Sequence, residues 1–183
     1  MRGLIVGRFQ PFHNGHMELV RHIMKTFEPN ELIVGIGSAQ ESYTLRHPFT
    51  AGERFEMITR TLLFERISRF VVVPIEDVNR HALWVSHVES LLPPFKQVYT
   101  NDPLNRVLFK EAGYEVPELP KYNRNVYQGT EIRRRMIAGE EWRDLVPLPV
   151  CKVLEEIHAE ERLRLLSSAP EAVRLQEEKN ATI

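Results

Sequence analysis

Short apolar runs alternate with stretches of helical period from the first residues of the chain. Gly3 to Val6 is apolar and bounded by glycines, which predicts a buried strand. Met17, Val20, Ile23, Met24 and Phe27 then recur at helical spacing, with Asn14 as the expected cap and Pro29 past the end. Glu31 to Ile36 predicts a second strand. A polar loop over Ala39 to Phe49 leads to Thr50-Ala-Gly-Glu53, a capping-box pattern ahead of Phe55, Ile58 and Leu62.

Phe70 to Pro74 predicts a third strand, and Ala82 to Leu91 a helix. Gln97 to Thr100 is a weaker fourth strand, Pro103 to Ala112 a helix with proline near its first turn, and Tyr114 to Val116 a short fifth strand. A polar loop over Lys121 to Gln128 precedes a basic helix start at Gly129-Thr130, and a final helix is expected over 149–166. This alternation predicts a Rossmann-like, doubly wound α/β fold. Its expected core is a parallel five-stranded sheet with helices on both faces and a C-terminal helical segment. Residues 1–166 read as a single domain and 167–183 as a polar tail or surface helix, without repeat or linker.

Composition narrows the function classes. At 183 residues, 43% hydrophobic and 27% charged, the chain is long enough for one sizeable core. A net charge of -1 supplies no global field for nucleic acid or anionic membrane, so an anionic partner must be held locally. The lone Cys151 can close no internal disulfide. Apolar runs stay well short of the roughly 20 residues of a membrane span, and the N-terminal segment lacks a signal-peptide pattern. A cytoplasmic protein is expected.

The sharpest constellation is Gly7-Arg-Phe-Gln-Pro-Phe-His-Asn-Gly-His16, between the first strand and the first helix. Ligands of open α/β sheets bind beyond the carboxyl ends of strands, and a helix N-terminus there offers free N–H groups to phosphate. His13 and His16 can face one phosphate, Gly15 lets it approach the backbone, and Arg8 stands at the entry. These are donors suited to stabilising charge in a direct displacement, without a covalent intermediate. The rival readings are a ligand-free loop cap and a zinc site, although no Cys or Glu lies at ligand spacing nearby. A second phosphate site is expected at Gly129-Thr130-Glu-Ile-Arg133, where Thr130 caps the helix and Arg133 projects from its first turn. On residues alone, Arg133 to Arg135 also reads as a solvated basic face, Arg46 as a surface arginine and Trp84 as core.

Gly7 to His16 resembles the H-x-G-H motif of nucleotidyltransferases, and the string GRFQPFHNGH is similar to archaeal nicotinamide-nucleotide adenylyltransferases. Agreement extends to GIGSAQ at 35–40, HPFTAGER at 47–54, ALWVSHVESL at 82–91, PPF at 93–95 and GTEIRRRM at 129–136. The resemblance implies that ATP and nicotinamide mononucleotide (NMN) give NAD and pyrophosphate with Mg²⁺, in a homo-oligomer, a hexamer. It implies catalytic roles for Arg8, His13, His16 and Arg133, with ATP also touching Gly7, Phe9, Gly15, Asn101, Gly129 and Thr130. The mononucleotide would be held by Ser38, Arg46, Asp77, Val78, His81 and Trp84, the tryptophan stacking on the pyridine ring; no residue is assigned as a metal ligand. Three positions depart from the family pattern. His81 replaces Asn of an N-x-x-W pattern, Gln128 replaces Ser before Gly-Thr, and Asn101-Asp102-Pro103 replaces Gly-Asn-Pro. Nicotinamide and nicotinate therefore both stay open. The remaining alternatives are the same chemistry on phosphopantetheine, FMN or glycerol phosphate, and a non-catalytic NAD-binding module; nucleic acid and membrane are not expected partners.

Overall fold

A computed structural model describes residues 1–120 and 128–168. The elements run β1 (Arg2–Gly7), α1 (Asn14–Thr26), β2 (Glu31–Ile36), α2 (Ala51–Phe64), β3 (Phe70–Pro74), α3 (His81–Leu91), β4 (Gln97–Val98), α4 (Pro103–Glu111), α5 (Gly129–Ala138), α6 (Leu148–Glu156) and α7 (Ala159–Ser167). The polar loop expected over 121–128 lies outside the described residues except for Gln128, and so does the tail after Ser168.

All strand pairs are parallel, in the order β3-β2-β1-β4, with Gly3 opposite Leu32 and Gln97. The chain moves outward from β1 to β3 and then returns to the other side of β1. That reversal opens a crevice between the carboxyl ends of β1 and β4. Side chains alternate across the sheet: Ile5, Leu32, Val34 and Ile36 join the larger core with α1, α2, α5, α6 and α7, whereas Leu4, Ile33 and Val98 join a smaller one with α3 and α4.

The sheet has four strands, not the expected five. Tyr114 to Val116 lies where a fifth strand would, and Glu115 forms a bridge to Gln97, with its N–H donating to Lys96 O and its carbonyl accepting from Val98 N. Pro117 follows at once and has no N–H to extend the ladder, while β4 offers only two residues to pair with. The single helix expected over 149–166 is two helices, α6 and α7, separated at His158, whose left-handed backbone (φ 52°) breaks the helix. The turn brings Arg162 to Glu53 of α2 at 2.7 Å, tying the last described helix to the second. Among the described residues no helix is long and apolar enough to cross a membrane.

Candidate active site

A cleft of about 730 Å³ opens at the strand-order reversal. Its walls include Gly7, Arg8, Phe9, His13, Gly15 and His16 from β1 and α1, Ser38 and Arg46 after β2, Asp77 and Trp84 after β3, Asn101 after β4, and Gly129, Thr130 and Arg133 of α5. The crossover order thus gathers residues more than 120 positions apart. Val78 and His81 do not line it. His81 begins α3 one turn before Trp84, with its side chain exposed.

The two histidines form a reciprocal cap. His13, not Asn14, is the cap of α1: His13 Nδ1 accepts from His16 N at 3.3 Å, and His16 Nδ1 accepts from His13 N at 3.2 Å. Asn14 is instead the first helical residue, its amide donating to Asp144 O. The rings stack with centroids 3.6 Å apart, and Phe9 meets His16 edge-on at 4.9 Å. Each Nδ1 accepts, so each ring is neutral and carries its proton on Nε2. Burial pulls His13 down to about 4, and burial followed by the neighbouring imidazole pulls His16 well below its usual value. At neutral pH this is a pair of uncharged Nε2–H donors held rigidly by the backbone they cap.

Cationic groups complete the cleft. Among the described residues the Arg8 and Arg46 side chains make no hydrogen bond or ion pair, so their guanidinium donors are available to an anion. Arg133 is fixed more tightly, with Nη1 donating to Gln10 O at 2.6 Å and Nε to Leu45 O at 3.0 Å. Burial, then Arg8 and Arg46, lower Arg133 to about 10, so it stays charged at neutral pH. Arg134 pairs with Glu131 and Glu140, and Arg135 with Glu131; both belong to the helix surface. Thr130 is not the α5 cap, since the helix begins at Gly129 and Gln128 occupies the cap without a side-chain hydrogen bond. Gly129 is required for another reason: a Cβ there would lie 2.7 Å from Gln10 O and 3.1 Å from Arg133 Nη1.

Several residues that sequence reasoning missed hold these walls. Trp84 is half-buried against the smaller core, and its Nε1 donates to Asn105 Oδ1 at 2.9 Å. Asn105 is itself fixed by Asp102, which caps α4 through Asn105 N at 2.8 Å. Gln40 grips Asp77 twice, accepting from its N–H at 3.0 Å and donating to its carboxylate at 3.3 Å. Gln10 clasps Phe49 by both backbone groups. Only the capping role of Asp102, in the N-cap-Pro pattern Asp102-Pro103, carries a local sequence signal. Among the described residues no group of three or more His, Cys, Asp or Glu is placed to hold a metal ion.

An α/β sheet with a phosphate-seeking cleft at its strand-order reversal is the architecture of a nucleotide-handling enzyme. The chain belongs to the cytidylyltransferase-like family, whose model matches residues 4–135. Within it, the chain is 55% identical to the nicotinamide-nucleotide adenylyltransferase of Thermoplasma acidophilum over 94% of this chain and 95% of that one. The Archaeoglobus fulgidus enzyme of the same name is 50% identical over 91% and 98%. A bifunctional NMN adenylyltransferase/ADP ribose pyrophosphatase from Francisella tularensis, crystallised with AMP and a manganese ion, shares the fold at a TM-score of 0.73 and 17% identity. That alignment takes in all of this chain but only 56% of the solved one.

Proposed function

We propose that the protein transfers the adenylyl group of ATP to nicotinamide mononucleotide, giving NAD and pyrophosphate. The mononucleotide 5′-phosphate attacks the α-phosphorus of ATP in line as pyrophosphate leaves. The observation that carries this reading is the neutral His13–His16 pair set among Arg8, Arg46 and Arg133 at the strand-order reversal. The attacking phosphate is already ionised near neutral pH, so no general base is required; the site's task is to hold anions together and stabilise charge that develops between them.

Neutral Nε2–H donors from His13 and His16 suit the phosphate oxygens at the reacting centre. Arg133 and the α5 N-terminus address the ATP polyphosphate, with Gly7, Phe9, Gly15, Asn101, Gly129 and Thr130 forming the rest of that end. Arg8 lies between the two anions, and Arg46 and Ser38 address the acceptor phosphate. Trp84 supplies a ring face for the pyridine, while Asp77 offers acceptors to a carboxamide N–H and repels a carboxylate. We therefore assign a preference for nicotinamide over nicotinate mononucleotide. Magnesium enters as the counter-ion of ATP and supplies charge neutralisation on the polyphosphate. A cytoplasmic, hexameric enzyme is the accompanying proposal, checked by light scattering.

The test is pyrophosphate release from Mg-ATP with NMN, nicotinate mononucleotide, FMN or phosphopantetheine as separate acceptors, with product mass. Release with NMN that exceeds release with nicotinate mononucleotide is the expected result. Release only with FMN or phosphopantetheine would move the reading to another acceptor, and NAD binding without turnover would make the protein a binding module.

A further inference from the structure

Arg54 is wholly buried and has no carboxylate partner. Its neighbour Glu53 is committed elsewhere, to the Thr50 cap and to Arg162. Every bond of the Arg54 guanidinium goes to a backbone carbonyl: Nη1 to Arg8 O at 3.0 Å and Gly37 O at 2.9 Å, Nη2 to Ser38 O at 3.1 Å, Ala39 O at 3.5 Å and Glu41 O at 3.3 Å, and Nε to Thr50 O at 3.1 Å. One planar fork therefore spans the loop after β1, the loop after β2 and the start of α2. The β1 loop presents Arg8, and the β2 loop presents Ser38 and continues to Arg46. At two of these points the backbone is in the left-handed region: Ser38 itself (φ 49°) and Phe9 (φ 50°), directly after Arg8. Neither is glycine, so each needs external support.

A buried guanidinium that merely filled space would be replaced well by an apolar side chain, because its desolvation is only partly offset by the Asp77 and Glu53 carboxylates, neither of which it bonds. What an apolar side chain cannot supply is five directed donors in one plane. We propose that Arg54 is a positioning residue for adenylyl transfer, a clasp that fixes Arg8 and the Ser38–Arg46 loop at the spacing the two substrate phosphates require. The inference rests on the functional reading above. Arg54 touches no substrate; it acts through the carbonyls of the residues that do. Burial lowers it to about 10, which leaves the clasp charged throughout the neutral range.

Arg54→Lys keeps the charge and loses the fork. With wild-type turnover measured first, so that failure of the functional reading is seen separately, the variant should lose about 100-fold in kcat, the size of effect expected from misplacing an anchoring group by about 1 Å. In a background lacking both anchored cations, Arg8→Ala with Arg46→Ala, the same change should cost less than about threefold, because both routes of its action are gone; in a His16→Ala background it should cost nearly its full factor. Equal factors in both backgrounds, or an Arg54→Lys kcat within about threefold of wild type, would overturn the proposal. Should the lysine variant not fold, arginine-selective nitrogen NMR on the unaltered protein decides. The Arg54 Nε–H should be slow to exchange with solvent, and its signal should stay in place on addition of NMN while that of Arg8 moves; rapid exchange of Arg54, or a shift as large as that of Arg8, would refute it.

Discussion

His16 combines two tasks in one ring. Its Nδ1 accepts from His13 N and closes the helix cap, which leaves Nε2–H for the cleft. His16→Ala should therefore lower kcat by about 100-fold or more, with a smaller change in KM, as expected when a preorganised donor to a transition state is removed. Steady-state kinetics with both substrates checks this, and an unchanged kcat would refute the role. Gly129 makes a sharper test of backbone approach. In Gly129→Ala the new methyl must displace the Gln10 backbone oxygen and, with it, the Arg133 Nη1 that donates to it, so kcat/KM for ATP should fall by at least tenfold while the melting temperature moves by only a few degrees.

At the scale of the elements, α2 and α7 meet through a largely enclosed ion pair. Arg162 donates to both Glu53 oxygens, at 2.8 and 2.7 Å, and to Pro48 O at 3.1 Å, and the side chains are only 16% and 17% exposed. Arg162→Ala should cost about 1–3 kcal/mol, since it strands a largely enclosed carboxylate whose other bond caps α2. Denaturant unfolding reads this directly, and a cost below about 0.5 kcal/mol would show the pair to be solvent-screened.

Most elements were readable before the structure because their signals are local. The capping box Thr50–Glu53 occurs as its spacing predicts, with Thr50 Oγ1 accepting from Glu53 N at 3.2 Å. Tertiary demand displaced the rest. An ordinary cap rule favours Asn14, but two imidazoles one turn apart can cap each other, and that depends on ring geometry invisible in the letters. The α6–α7 break falls at His158, which has no helix-breaking chemistry of its own. In the site, β-α loop position made Arg8, His13 and His16 legible, and family resemblance drew in Ser38, Arg46, Asp77 and Trp84. Gln40, Arg54 and Asn105 gave no signal, because each works by reaching a group distant in sequence.

For the whole molecule, the depressed histidines set the acid side of stability. His13 and His47 are each lowered to about 4, mainly by burial, with the surrounding arginines adding to the effect at His47. Unfolding returns both towards about 6.5. Between those values the unfolded chain binds more protons, so stability is full above about pH 6.5 and declines as pH falls towards about 4. Chemical denaturation across pH 4–8 should show that slope, reduced when His47 is replaced by Gln. A flat profile would mean that these rings keep ordinary proton affinities in the fold.

On the proposed assignment of the cleft, the two faces of the sheet bear on different substrates. The histidine cap and α5 belong to the larger core, whereas Trp84 packs against the smaller one and is steadied by α4. A lineage built on this plan can exchange the molecule it adenylylates by rebuilding one wall, leaving the reacting centre in place. The same division provides an engineering rule: acceptor scope should be sought between Asp77 and Asn105, and catalytic rate elsewhere.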